Sequence, residues 1–203
     1  MSIILVIVFA PTMIIVAVII KLTSPGPILV ERDNKSAQRV GKNGKVFYHY
    51  KFRSMILNAY HLIKTDPKFK KLYEEYKSSS YKLKKDPRVT TFGKFIRKYS
   101  IDETPQLFNV IKGEMSLVGP RPCFVEELKE QQEKYPNTRK FVKEMLTVKP
   151  GITGYWQVTG RSAINFDKRV EMDAYYAMKK SILLDILILL KTPWTMISGK
   201  DAV

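Results

Sequence analysis

Cysteine is almost absent from this chain of 203 residues. Cys123 stands alone, so no intrachain disulfide can hold the fold. A reducing compartment for the soluble part fits that, and Cys123 itself reads as a packing residue. Acidic residues are also scarce. There are 19 Asp and Glu against 35 Lys and Arg, which leaves a net charge of +16. Such a balance points to anionic partners: nucleic acid, phosphorylated small molecules or an anionic membrane face. The chain has no P-loop, no glycine fingerprint for a dinucleotide and no zinc-ligand spacing. His49 and His61 lack partners at metal-ligand intervals and read as structural or exposed. With 45% hydrophobic and 27% charged residues, the chain is not built for disorder. Its length suffices for one domain with a core, or one domain plus a membrane anchor.

The first segment lacks charge altogether. From Ile3 to Ile20 only Pro11 and Thr12 interrupt an apolar run of 18 residues, and Lys21 closes it. That is close to the length that spans ~30 Å of hydrocarbon as a helix. No basic stretch precedes the run, and Leu22-Thr23-Ser24-Pro25 is a poor cleavage site, so a signal peptide is disfavoured. Pro11 removes a backbone donor and crowds the preceding turn, which predicts a kink or break at Ala10-Pro11. Two geometries follow from the residues: a kinked crossing of the membrane, or a bend that returns the chain to the face it entered.

Downstream of Lys21 the composition changes sharply. Ser24-Pro25-Gly26-Pro27 predicts a turn or linker. Short strands are predicted at residues 28–32 and 45–50, joined through Gly41-Lys42-Asn43-Gly44 as a hairpin or extended loop. Helices are predicted over 55–64, 92–99, 102–111, 122–134, 137–145, 165–179 and 181–197, with 151–160 as a glycine-punctuated loop. The last helix is apolar from Ile182 to Leu190 apart from Asp185, which suits a helix lying in the membrane interface. Residues 64–98 carry 12 Lys or Arg against 4 Asp or Glu, broken by Asp66-Pro67, Ser78-Ser79-Ser80 and Asp86-Pro87. The predicted class is α+β and mostly helical, with a small β-hairpin. The division is a membrane segment at residues 1–22 and a membrane-associated domain at 23–203.

Several clusters could carry chemistry. Asp102 and Glu103 are adjacent carboxylates. Their plainest reading is a capping box, with Ser100 as the cap and Glu103 three residues on. Two carboxylates at a helix start can also hold a divalent cation, and an aspartate can form an acyl phosphate. Arg97 lies just upstream of them. Lys51 and Arg53 are predicted at a strand-to-helix junction, where cations and helix amides suit a phosphate. Arg121 sits between two prolines, a rigid setting for a bidentate cation. The stretch from Gly151 through Trp156 to Arg161 could close over a nucleotide, or could be a hairpin with Trp156 as a core plug.

Taken together, the segments resemble the bacterial sugar transferase family, the small monotopic polyprenyl-phosphate phosphoglycosyl transferases. The stretches that carry the likeness are Ser24-Pro25-Gly26-Pro27, Tyr50-Lys51-Phe52-Arg53-Ser54-Met55, Asp86-Pro87-Arg88-Val89-Thr90, the run from Ser100 to Leu107, the run from Lys112 to Pro122, and Lys149-Pro150-Gly151-Ile152-Thr153-Gly154. They cover nearly the whole chain in order.

The resemblance implies that Asp102 attacks the β-phosphorus of a UDP-sugar and expels UMP. Polyprenyl (undecaprenyl) phosphate then takes up the phosphosugar. It also implies that Glu103, with Asp102, supports Mg²⁺. Lys51, Arg53, Arg97, Arg121 and Arg161 would hold phosphates. UDP-glucose or UDP-galactose is the expected donor, with a UDP-N-acetylhexosamine as the alternative. The family uses a re-entrant helix broken at Ser-Pro, and here the pair is Ala10-Pro11. Members usually carry another helical turn or more before this point, at ~3.6 residues per turn, so the entering arm here is either truncated or simply short. The implied setting is the cytoplasmic face of a bacterial inner membrane, with the lipid bilayer and downstream glycosyltransferases as partners. Residues 64–86 contain an insertion relative to the smallest members, with a membrane-facing or partner role. Two other functions compete. A membrane-anchored nucleic-acid binder would use the +16 charge but leave Asp102-Glu103 unexplained, and nucleic acid is not the expected partner. A non-catalytic scaffold is argued against by the intact carboxylate pair.

Overall fold

The computed structural model describes residues 2–30, 37–78, 83, 85–159 and 164–197. The chain opens with α1 (Ser2–Thr23), an unbroken helix of 22 residues with Pro11 inside it. This corrects the predicted break at Ala10-Pro11. Proline's fixed φ is itself helical, and the uniformly apolar flanks favour continuing the helix; the loss is one backbone hydrogen bond.

Beyond the linker, β1 (Gln38–Val40) pairs antiparallel with β2 (Val46–Tyr48), with Arg39 opposite Phe47. The hairpin is as expected, but its first strand is not at residues 28–32. There Leu29 forms only an isolated bridge with Phe52, and 31–36 lie outside the described residues. The turn is tight because Asn43 takes φ 56° and Gly44 φ 77°. α2 (Ala59–Thr65) starts later than predicted, after a left-handed Asn58. α3 (Lys70–Ser78) and α4 (Thr91–Lys98) follow. Residues 101–103 form a single 3₁₀ turn, and Pro105 separates it from α5 (Gln106–Ile111). The predicted helix over 102–111 is therefore two pieces.

β3 (Ser116–Val118), α6 (Val125–Lys134) and α7 (Arg139–Met145) come next. The stretch read as a loop from Gly151 is structured: β4 (Gly151–Thr153) runs parallel to β3, and α8 (Tyr155–Thr159) follows it. Glycine makes this pairing possible, because a Cβ on Gly151 would lie 2.1 Å from the Gly119 nitrogen and one on Gly154 2.2 Å from the Gly119 oxygen. α9 (Phe166–Lys179) and α10 (Ile182–Ile197) complete the described chain, which is α+β and mostly helical.

Three buried clusters hold these elements. Val40, Cys123, Leu128, Val142, Met145, Phe166 and Val170 pack between the hairpin and α6, α7 and α9, so Cys123 is a packing residue as expected. Val118, Tyr176 and Ile188 join β3, α9 and α10. In the third, Val16 and Ile20 of α1 pack against Phe52 and Ile96, with Ile101 at the edge. The end of α1 is thus part of the core that positions Lys51 and Asp102. On the opposite face of α1, Ile7, Ile14 and Leu22 are exposed.

Gly93 sets how closely α4 approaches that core. Thr90 caps α4 through Oγ1, which accepts from the Gly93 N–H at 2.9 Å, while the Ser54 oxygen accepts from the Thr90 N–H at 3.1 Å. A Cβ on Gly93 would lie 1.9 Å from that same Ser54 oxygen. Gly93→Ala is expected to cost about 1–3 kcal/mol by overpacking, lowering the melting temperature by roughly 2–12 °C. An unchanged melting curve would contradict this packing.

Candidate functional site

The residues that matter lie where the extended segment after β2 passes the 3₁₀ turn. The Phe52 N–H donates to the Asp102 carbonyl at 2.9 Å, which ties the two segments together. On either side of that bond lie Lys51 and Asp102. The Lys51 ammonium is 2.9 Å from Asp102 Oδ2 and donates to Glu103 Oε1 at 3.1 Å. Asp102 is 2% exposed, and Oδ2 accepts no well-formed hydrogen bond among the described residues, so its partner is the ion pair with Lys51. The Glu103 side chain is 32% exposed. The predicted capping box does not form: Ser100 takes φ 54° and its side chain caps nothing. The turn is shaped by left-handed backbone, which leaves both carboxylates available to Lys51.

Burial pushes the Asp102 carboxyl up against the pull of Lys51, and the neighbouring Glu103 charge adds to the rise. Burial would raise Glu103 too, but Lys51, with His49 and Arg121 beyond, overrides it and brings Glu103 down to about 2. Lys51 therefore favours the charge on Glu103, while burial works against the charge on Asp102. Lys51→Met should lift both. The acid limb of the pH–rate profile moves to higher pH, because a carboxylate whose folded-state value rises loses its charge sooner as pH falls. Activity should recover in part toward pH 9. A loss equal at every pH would mean that Lys51 only holds structure.

A cavity of about 610 Å³ opens onto the pair. Lys51, Arg53, Arg97 and Arg121 line it. The Arg97 side chain, at the end of α4, makes no hydrogen bond or ion pair among the described residues. The Arg121 guanidinium lies 5.7 Å from the centre of the Trp156 ring. Trp156 is 4% exposed, so it is a core plug that also reaches the cavity wall. Arg53 also donates to the carbonyls of Pro25 and, at 2.9 Å, Ser24, pinning the linker below α1. Neither Lys51 nor Arg53 opens a helix, since the next helix begins at Ala59. Arg161 lies outside the described residues.

The cavity also holds Arg39, which the sequence reading missed, and His49, which it gives as structural or exposed. Arg39, on β1, stacks over the Phe124 ring at 3.5 Å, and burial together with the Arg121 charge lowers it to about 10. The His49 ring is buried and held well below its usual value, chiefly by burial, so it is neutral near pH 7. The signal for Arg39 lay in the hairpin, whose first strand was placed ten residues too early. His61 is exposed, with Nδ1 3.2 Å from the Thr65 hydroxyl.

No group of three or more His, Cys, Asp or Glu is placed to hold a metal ion among the described residues. At the cavity the described residues offer a metal the two carboxylates, including Oδ2 of Asp102. Such hard oxygen donors fit Mg²⁺, which takes one or two carboxylates and completes its shell with water and phosphate oxygens. Lys51 holds the same oxygens, so metal and ammonium compete for them.

Fold and site define an α+β protein with an apolar N-terminal helix and a carboxylate pair set in a cationic cavity. The chain belongs to the bacterial sugar transferase family, which it matches over residues 1–199. It is 48% identical over 159 residues to the undecaprenyl-phosphate galactose phosphotransferase of Salmonella typhimurium, covering 76% of this chain and 31% of that protein. It is 37% identical over 195 residues to the exopolysaccharide production protein ExoY of Sinorhizobium fredii, covering 94% of this chain and 79% of that one. It is 39% identical over 197 residues to the UDP-N-acetylgalactosamine-undecaprenyl-phosphate N-acetylgalactosaminephosphotransferase of Aeromonas hydrophila, covering 96% and 41%. The chain spans about a third of the length of the Salmonella relative.

Proposed function

We propose that this protein moves a sugar-1-phosphate from a UDP-sugar to polyprenyl (undecaprenyl) phosphate, as an early membrane step of capsule or exopolysaccharide assembly. The observation that carries this reading is Asp102: a buried carboxylate whose Oδ2 has, among the described residues, the Lys51 ion pair alone, at the wall of a cavity ringed by cations. In the first step an Asp102 oxygen bonds to the β-phosphorus. The bond from that phosphorus to the UMP oxygen breaks, and UMP leaves with the electron pair. In the second, an oxygen of the acceptor phosphate bonds to the same phosphorus and Asp102 is released. Lys51 keeps Asp102 anionic before attack, and Arg97 and Arg121 face the phosphates whose charge builds up. Bound Mg²⁺, held by Asp102 and Glu103, would neutralise diphosphate charge and improve the leaving group.

The Salmonella relative's name favours galactose as the sugar, and the Aeromonas name supports an N-acetylhexosamine as the second reading. The exposed apolar faces of α1 and α10 favour attachment to the bilayer, which we assign to the cytoplasmic face of the inner membrane. Incubation with Mg²⁺, polyprenyl phosphate and a panel of UDP-sugars should release UMP with at least one sugar. With acceptor left out, intact-mass spectra should gain one phosphosugar. Turnover with acceptor but no adduct without it would replace the two-step route by direct transfer, and no UMP with any sugar would end the proposal.

A further inference from the structure

We propose that the space between α1 and α10 seats the apolar chain of the acceptor, so that an isoprenoid tail runs between these two helices with its phosphate against the cations beside Asp102. This rests on the transferase reading above and adds where the lipid lies. The cavity that reaches Asp102, Lys51 and Arg121 is also lined by Leu5 and Phe9 of α1 and by Leu189 and Pro193 of α10. Each pair is spaced four residues apart, so each helix turns one ridge into the same space. Pro27, Leu29 and Leu117 add apolar side chains to the lining of the same cavity.

A sugar nucleotide has no use for such a wall. A ligand that fills the whole cavity has an anionic head and an apolar body. The helices also offer that body a way in. Their outer faces are bare of protein: Ile3, Ile7, Ile186 and Leu190 are all exposed, so both ridges rise from surfaces suited to lipid. α10 is fixed as a wall, since the Thr192 hydroxyl bonds that of Thr153 in β4 at 2.8 Å and Tyr176 bonds Asp185 at 2.6 Å.

The test uses the full chain and a polyprenyl phosphate bearing a diazirine on its isoprenoid. Light should attach it within residues 5–9 and 189–195, and unlabelled polyprenyl phosphate should compete while UMP does not. Attachment elsewhere, or attachment that resists competition, overturns the proposal. Leu5→Trp and Leu189→Trp fill the space from either side. Each should raise the KM for a long-chain acceptor at least ~10-fold, as for other crowded apolar subsites, with the adduct forming from UDP-sugar alone at the wild-type rate. An unchanged acceptor KM overturns the assignment, and so does loss of adduct formation, which would give the wall to the donor. A wild-type protein that never forms the adduct defeats the transferase reading instead, while the crosslink still reports whether an anionic isoprenoid lies between the helices.

Discussion

Asp102→Asn should reduce UMP release at least ~10³-fold and abolish the phosphosugar adduct, because the amide is not a competent nucleophile toward phosphorus. The same substitution should leave the fold intact. Burial raises the Asp102 carboxyl, so the folded protein disfavours its ionised form. A neutral side chain of the same shape relieves that cost, and Lys51 keeps Glu103 as its partner. The expected pair of results is a dead enzyme with a melting temperature equal to or above that of the wild type, the pattern of a group retained for reaction at some expense of stability. Near-normal turnover by the asparagine variant would remove Asp102 from the nucleophile role. A large fall in melting temperature would make the activity loss uninformative and return Asp102 to a structural account.

The second large effect concerns stability. Arg169 is 3% exposed in α9, and Nη2 donates to Glu127 Oε1 at 2.6 Å. Burial opposes the Glu127 charge, but Arg169 and then Arg121 outweigh it and hold Glu127 below its usual value. Asp173, one turn along α9, is 1% exposed, and burial drives it up to about 7 despite the same arginine. Arg169→Ala leaves two buried carboxyls without their nearest cation. The cost should be about 3–5 kcal/mol, as for other broken buried pairs. At roughly 2–4 °C per kcal/mol for a chain of this size, the melting temperature should fall by about 6–20 °C. Circular dichroism melts measure this directly, and a shift under ~2 °C would show the cluster to be hydrated and weak. Replacing both partners, as in Glu127→Leu with Arg169→Met, should recover part of the loss, since Asp173 is then the one carboxyl of the two left without its cation.

Neither Glu127 nor Arg169 stood out in the sequence, and the reason is physical. Their pairing spans 42 residues and depends on α6 meeting α9, which no local pattern encodes. Local chemistry served better elsewhere. The uncharged run of α1, the Asn-Gly turn of the hairpin and the amphipathic spacing of α9 are each decided by neighbours within a few residues, and they form as expected. Asp102, Glu103, Lys51, Arg97 and Arg121 were reached through ordered motifs, and the cavity gathers them. Arg53 lines the same cavity, and what its motif does not show is that its guanidinium also bonds the carbonyls of Ser24 and Pro25. The capping box failed for a related reason. Ser100 has the right side chain, but its left-handed backbone aims it away from the orphan amides. Gly151–Thr153 read as loop because a three-residue parallel strand, with two of its partners' contacts made through glycine backbone, carries no alternation to detect.

The burial of Val16 and Ile20 against Phe52 and Ile96 bears on how the protein can be handled. Removing α1 to obtain a soluble version would strip two fully packed aliphatic side chains from the core beside Lys51. At about 1.5–3 kcal/mol each, that forfeits a sizeable part of the ~5–15 kcal/mol that holds an ordinary domain together. The newly bared Phe52 and Ile96 would then face water or another molecule. The hydrophobic helix is thus a beam of the building as well as its mooring, and an amphiphile-free form would have to rebuild that beam with a polar outer face before it could stand.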